Sequence, residues 1–198
     1  FRQLFWVCFV FSLILAITVG VKFFLVILAY QAIGWIYSAW PFRLKRFPIV
    51  ASALSALALT LLFSSGFMLL ADGQNIARFP HQVFWLLIFA FTMSLPIKDL
   101  KDIEGDRKDE VWTIPVLLGE TWARFAIGLG IFLSYALSVI WLNAKILFLP
   151  AMILGALSFW ILQTKKIPPK RVHIFVFGFL FLYVALIAYL VFWPAIKI

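Results

Sequence analysis

The stretch "SLPIKDLKDIEGDRKDEVWTIPVLLGE", residues 94–120, holds most of the negative charge of this chain. The sequence has eight acidic residues in all, and seven of them lie between Asp99 and Glu120. The segments on both sides of this stretch are almost wholly apolar. The fold therefore has to place one short charged segment at the edge of a large apolar structure.

The overall composition is typical of a membrane protein. The chain has 198 residues, of which 65% are hydrophobic and 13% charged, whereas soluble domains are about 45–50% apolar and about 25% charged. A single cysteine, Cys8, excludes an intramolecular disulfide framework and a multi-cysteine metal site. In a membrane protein, the net charge of +9 indicates basic loops that face anionic lipid, or an anionic substrate, and no nucleic-acid partner is expected.

Seven charge-free runs of 19 to 25 residues predict the transmembrane segments. A bilayer core of about 30 Å requires about 20 helical residues, and the runs lack the polar–apolar alternation of membrane strands. We therefore predict an all-α fold, a polytopic transmembrane helical bundle that forms a single domain over residues 1–198. The predicted spans are 3–21, 23–42, 47–71, 79–97, 125–144, 146–164 and 172–196.

The distribution of Lys and Arg predicts the orientation of the bundle. With seven spans, the N-terminus and alternate loops lie on one face, which carries 13 of the 17 basic residues. The positive-inside rule places this face, and the acidic stretch with it, in the cytoplasm. The chain begins with Phe1 and has no signal-peptide pattern, so the sequence is interpreted as an internal fragment.

Three carboxylates in the acidic stretch suggest a metal site. Asp99, Asp102 and Asp106 have the spacing i, i+3, i+7, which places them on one face of an α-helix. The three carboxylates repel one another, and their arrangement becomes favourable when a divalent cation lies between them. Oxygen ligands select a hard ion, and Mg²⁺ typically uses one or two carboxylates together with substrate phosphates. The simpler interpretation is a solvated loop, but the acids directly follow Pro96 at the very end of a span.

A basic segment lies on the same predicted face. In "YSAWPFRLKRFP", residues 37–48, a proline is followed by Arg43, Lys45 and Arg46. Taken alone, this pattern is explained by positive-inside anchoring. A carboxylate–metal site next to a basic corner, however, is what a diphosphate requires, and the Tyr37 hydroxyl can reach the same cavity.

The two segments together resemble a known family. The string "KDLKDIEGDRK…TIPVLLG" resembles the second aspartate-rich motif of the UbiA-type intramembrane prenyltransferases, and "YSAWPFRLKR" resembles the Tyr-Ser-x-Pro-x-(Arg/Lys)-x-Lys-Arg loop of that family. The resemblance implies a nine-helix bundle with Mg²⁺ as cofactor. It also implies transfer of a prenyl group from a polyprenyl diphosphate to an aromatic or other lipophilic acceptor in the membrane, as in quinone and prenyl-lipid biosynthesis.

The resemblance also implies roles for individual residues. Asp102 and Asp106 take the main Mg²⁺ positions, Asp99 supports them, and Tyr37 joins the two main acids in the catalytic set. Phosphate oxygens are expected to be bound by five basic side chains, Arg43, Lys45, Arg46, Lys101 and Arg107.

Two departures from the family pattern affect these expectations. The first aspartate-rich motif, Asn-Asp-x-x-Asp-x-x-x-Asp, is absent from the sequence and is expected upstream of Phe1. The seven spans then correspond to helices three to nine, and the chain alone is expected to be inactive. Glu110 stands where the family often has glycine, which puts a standard loop conformation in doubt.

Two other protein classes remain as alternatives. A non-catalytic transporter or channel fragment with a divalent-cation site requires charged or polar groups deep within spans, and only Ser, Thr, Asn and Gln side chains occur there. A seven-helix receptor gives no reason for carboxylates clustered on one helical face.

Overall fold

The computed structural model describes residues 2–70, 76–164, 167–187 and 189–190, and in these residues the chain forms helices and no strands. The prediction of an all-α membrane bundle is confirmed. The α-helices of these residues are α1 (Arg2–Val19), α2 (Val21–Ser38), α3 (Pro48–Leu70), α4 (His81–Ser94), α5 (Ile103–Lys108), α6 (Ile114–Trp141), α7 (Phe148–Gln163) and α8 (Pro169–Ile187).

Each of the seven predicted spans contains one helix, but not all of these helices have the length of a span, and α5 is a short additional helix inside the acidic stretch. The last residues of the third and seventh predicted spans, 71 and 191–196, lie outside the described residues. The apolar parts of α1 and α8, Gln3–Val19 and Arg171–Ile187, are shorter than a typical span. Within the described chain, five helical segments are long and apolar enough to cross a membrane: Val21–Ser38, Pro48–Leu70, His81–Lys101, Ile114–Trp141 and Lys145–Gln163.

The start of the fifth span was predicted wrongly, because α6 begins at Ile114 and not at residue 125. Counting charges placed Glu120 and Arg124 outside the membrane segment. In the structure these two side chains pair, with Glu120 Oε1 lying 2.9 Å from both Nε and Nη2 of Arg124. Gly119, with φ 73° and ψ 160°, kinks the helix just before this pair, in a conformation that glycine adopts without steric cost.

The hydrophobic core holds the acidic stretch in place. α4 continues as a 3-10 helix over Leu95–Lys101, which packs against α6 and α8. Ile97 and Leu100 are 1% and 3% exposed, and they belong to the main core cluster together with residues of α6, α7 and α8. The segment that carries the first carboxylates is therefore fixed to the bundle.

The first three helices form a second, more open part of the bundle. α2 packs against α1 on one side and α3 on the other. A small cluster of Ala16, Phe23, Val26 and Met68 joins these helices at one level. Elsewhere the three helices line a large, half-open cavity.

Candidate active site

The basic segment 37–48 and the acidic stretch meet around one cavity of about 230 Å³. This confirms the prediction that the two segments lie at the same end of the bundle. The cavity lies between the end of α2, the start of α3, the 3-10 helix and the loop after α5. Its polar lining consists of Tyr37, Lys45, Ser52, Ser55, Lys98, Asp99, Asp106, Asp109 and Thr113.

The expectation that three aspartates share one face of a continuous α-helix is wrong. The chain is a 3-10 helix up to Lys101, breaks at Asp102 (φ −115°, ψ 13°) and only then forms α5. Pro96, near the start of the 3-10 helix, lacks an N–H group, and its ring clashes with the α-helical hydrogen-bond pattern. Side chains at i and i+3 eclipse in a 3-10 helix, so the alignment of the aspartates ends with the break at Asp102 and not with the 3-10 helix itself.

As a result, the three carboxylates have different environments. Asp99 and Asp106 line the cavity, whereas Asp102 does not. The Asp102 side chain is 56% exposed, and its Oδ2 lies 3.7 Å from Lys101 Nζ. Two of the three predicted metal ligands are therefore brought together in this structure, and the role of Asp102 stays a prediction.

The loop that follows α5 holds Asp106. The Thr113 hydroxyl donates to Asp106 Oδ2 over 3.3 Å, and the Val111 backbone N–H donates to the Asp106 backbone carbonyl over 2.8 Å. Partial burial raises the pKa of Asp106, the Thr113 hydrogen bond lowers it, and the Asp102 carboxylate raises it further. Burial and neighbouring charge both disfavour the ionised form, so a cation at this position stabilises it.

The backbone conformation at Glu110 explains why glycine is common at this position in the family pattern. Its φ of 55° lies in the left-handed region, which costs a residue with a Cβ atom about 1–2 kcal/mol. The Val111 N–H to Asp106 carbonyl bond closes the same turn. The loop therefore makes the glycine-type turn even though this chain has glutamate there.

The basic side chains divide into two groups. Lys45 lines the cavity, as predicted, together with Lys98, whose Nζ lies 3.9 Å from Asp99 Oδ1. Lys98 was not among the predicted phosphate ligands, although the structure places it in the cavity wall. The other predicted phosphate ligands are exposed and do not line this cavity: Arg43, Arg46, Lys101 and Arg107.

A second cavity of about 640 Å³ adjoins the polar one. It lies between α1, α2 and α3, and its walls are mainly apolar and aromatic side chains. Tyr37 and Ser55 line both cavities, so they mark the boundary between them. A molecule with a charged head and an apolar tail matches this arrangement.

A magnesium ion in the polar cavity would need oxygen ligands from the surrounding side chains. In the described parts of the chain, no group of three or more Asp, Glu, His or Cys side chains can hold a metal ion. Asp99 and Asp106 nevertheless offer two carboxylates to one cavity. This donor set fits Mg²⁺, because the ion uses one or two carboxylates and completes its shell with water and substrate phosphates.

Comparison with known proteins agrees with this geometry. Residues 2–171 match the model of the UbiA prenyltransferase family. The chain is similar to a homogentisate phytyltransferase of Synechocystis sp., with 28% identity over 74% of this chain and 49% of the relative. It is also similar to a probable chloroplastic homogentisate phytyltransferase 2 of Oryza sativa subsp. japonica, with 35% identity over 44% of this chain and 24% of the relative.

The chain spans about half the length, or less, of these curated relatives. No solved structure matches the chain. The family match covers well over half of the sequence and includes both segments that form the polar cavity. The chain therefore belongs to the UbiA prenyltransferase family, whose members are multi-pass membrane proteins.

Proposed function

We propose that the full-length protein transfers a prenyl group from a polyprenyl diphosphate to an aromatic acceptor, as in quinone and prenyl-lipid biosynthesis. One observation carries this proposal: a polar cavity with carboxylates and lysines adjoins a large apolar cavity, and Tyr37 and Ser55 line both. The two relatives named as homogentisate phytyltransferases support an aromatic acceptor. The Lys and Arg distribution supports a cytoplasmic position for the polar cavity.

The polar cavity is proposed to bind the diphosphate. Lys45 and Lys98 supply positive charge to its oxygens, and ammonium groups bind phosphate as point charges. Asp99 and Asp106 are proposed to hold Mg²⁺ between the protein and the diphosphate. When bound, this ion stabilises the negative charge that develops on the leaving group.

The apolar cavity is proposed to hold the prenyl chain and the reacting carbon. The bond between the prenyl carbon and the diphosphate oxygen breaks, and the oxygen keeps the electron pair. An electron-rich ring carbon of the acceptor forms the new carbon–carbon bond, and the ring then loses a proton. In the full-length protein the apolar walls are proposed to exclude water, which would otherwise capture the cationic prenyl carbon.

Activity of the full-length protein in lipid nanodiscs tests this proposal. We expect Mg²⁺-dependent prenylation of a phenolic aromatic acceptor. We also expect Lys45→Ala to raise the KM for the prenyl diphosphate by roughly tenfold, since it removes one charge-assisted contact worth about 1.5–3 kcal/mol. Lys22→Ala is the matched control, because this lysine is exposed, lies at the opposite end of α2 from Tyr37 and is outside the cavity.

The alternative classes predict different results in the same assay. A transporter or channel moves a divalent cation across the nanodisc or vesicle membrane and forms no prenylated product. Absence of product with a panel of prenyl diphosphates and aromatic acceptors, together with Mg²⁺ flux in vesicles, would refute the proposed activity. Equal effects of Lys45→Ala and Lys22→Ala would contradict the assignment of Lys45 to the diphosphate.

A further inference from the structure

Gln31 aside, the face of α2 that lines the large apolar cavity is interrupted by a glycine, Gly34. The residues one helical turn away from it on either side, Tyr30, Tyr37 and Ser38, line the same cavity. With 3.6 residues per turn, these positions share one face of the helix, and Gly34 lies near the middle of that face. A side chain at position 34 would therefore point into the cavity.

Gly34 differs from the glycines that serve helix packing. Glycine in a membrane helix commonly lets a second helix approach closely, and Gly130 and Gly155 do this. A Cβ atom at Gly130 would lie 2.7 Å from Met93 Sδ, and one at Gly155 would lie 3.0 Å from Phe132 Cδ2. A Cβ atom at Gly34 would have no such neighbour within 4 Å in the part of the chain that the structure describes. The space next to Gly34 is therefore cavity space and not a helix contact.

The level of Gly34 in the cavity can be estimated from the helix rise. Gly34 precedes Tyr37, which lines both cavities, by three residues, or about 4.5 Å along the helix axis. On α3, Ala58 also lines the apolar cavity, three residues beyond Ser55, the other residue that lines both cavities. The wall thus has small residues on two helices at about the same distance from the polar cavity.

This distance corresponds to about one isoprene unit. Each unit adds four carbons to the chain, which span about 5 Å when extended, since three backbone atoms of an extended peptide span about 3.5 Å. A prenyl chain whose diphosphate lies in the polar cavity would pass Gly34 near the end of its first unit. Because the chain is a hydrocarbon, only the shape of the cavity can discriminate between chains of different length.

We propose that Gly34 keeps the apolar cavity open to prenyl chains longer than one isoprene unit, so that the size of the side chain at position 34 limits the chain length. This inference rests on the proposed prenyl transfer. Longer chains bury more apolar surface and bind more tightly as long as the space beside Gly34 is free. Gly34 is a specificity-determining residue and not a catalytic one.

The test measures the binding of dimethylallyl, geranyl and geranylgeranyl thiodiphosphate to the full-length protein by titration calorimetry with Mg²⁺. In the wild type we expect the Kd to fall as the chain lengthens. Gly34→Leu should raise the Kd of the geranylgeranyl compound by roughly 10- to 100-fold, the effect of a few misplaced carbons in an apolar pocket. The Kd of the dimethylallyl compound should change less than twofold. Gly34→Ala should give a smaller loss with the same dependence on chain length.

Gly66→Leu is the matched control. Gly66 lies in α3, and a Cβ atom there also has no neighbour within 4 Å among the described residues, but Gly66 lines neither cavity. Leucine is a better helix former than glycine, so we expect both leucine variants to fold, as measured by the thermal unfolding midpoint. Gly66→Leu should bind all three compounds within twofold of the wild type.

The outcomes separate this inference from the proposed reaction. A loss that grows with chain length and occurs only at position 34 supports the role of Gly34, even if no aromatic acceptor is prenylated. If Gly34 instead contacts another helix of the full-length protein, Gly34→Leu will lower the unfolding midpoint and weaken the binding of all three compounds equally, which would overturn the inference alone. The same holds if the wild type and Gly34→Leu depend equally on chain length. Failure of the wild type to bind any of the compounds would refute the proposed function and this inference together.

Discussion

Asp106→Asn is expected to lower the kcat of prenyl transfer by about 10³-fold or more in the full-length protein. Asparagine has nearly the same shape, and its carbonyl oxygen can still accept the hydrogen bond of Thr113. The substitution therefore removes the negative charge while the loop after α5 keeps its conformation. Loss of a metal ligand at a departing diphosphate costs several kcal/mol of barrier, and about 1.4 kcal/mol corresponds to a factor of ten.

Glu104→Gln provides the control for Asp106→Asn. Glu104 is an exposed acid on the same short helix and does not line the polar cavity. We expect less than a twofold change in kcat for this variant. The family resemblance predicts that Asp102→Asn is as damaging as Asp106→Asn. Near-normal turnover of Asp106→Asn at limiting Mg²⁺ would show that Asp106 does not bind the metal.

Glu120→Ala is expected to lower the free energy of unfolding by about 3 kcal/mol. The Arg124 side chain is only 4% exposed, whereas the Glu120 side chain is 52% exposed. Removing Glu120 leaves a buried cation without its partner, and breaking a buried pair in this way costs about 3–5 kcal/mol. The expected loss of stability is at the low end of this range because about half of the Glu120 side chain is exposed.

The reverse substitution should be much less harmful. Arg124→Met removes the buried charge, and the remaining carboxylate of Glu120 is accessible enough to be solvated at the membrane face. The main loss is the hydrogen bond from Arg124 Nη1 to the Leu162 carbonyl, which spans 3.0 Å and ties α6 to the end of α7. We expect about 1 kcal/mol for this variant. Denaturant titration of the full-length protein measures the free energy of unfolding of both variants. Equal losses of stability in Glu120→Ala and Arg124→Met would contradict a buried, paired Arg124.

The positions of the helices could largely be predicted from charge-free runs, because every charge in a membrane span is costly. The method failed where two charges cancel each other. A count along the sequence treats Glu120 and Arg124 as a boundary, but the four-residue spacing brings them together on one helical face. α6 in fact begins at Ile114, six residues before Glu120, so the charge count missed the first part of this helix.

The candidate site could be predicted at the level of segments but not of single side chains. Helix parity was enough to bring the basic segment and the acidic stretch to one end of the bundle. The chain breaks at Asp102, between the 3-10 helix and α5, and the exposed Asp102 side chain does not line the cavity. A spacing rule for one continuous α-helix does not contain this break. The place of Lys98 in the cavity wall depends on contacts between helices, for which the sequence gives no local signal.

The most direct test of the central claim is the binding of a prenyl thiodiphosphate, a substrate analogue that resists cleavage, to the full-length protein. The claim is that Asp99 and Asp106 bind the diphosphate through Mg²⁺. Titration calorimetry should give a Kd at least roughly tenfold lower with Mg²⁺ than with a chelator, a difference of about 1.4 kcal/mol. This Mg²⁺ effect should be largely lost when Asp99→Asn and Asp106→Asn are combined. Equal affinity with and without Mg²⁺ in the wild type, or an undiminished Mg²⁺ effect in the double variant, would contradict the claim.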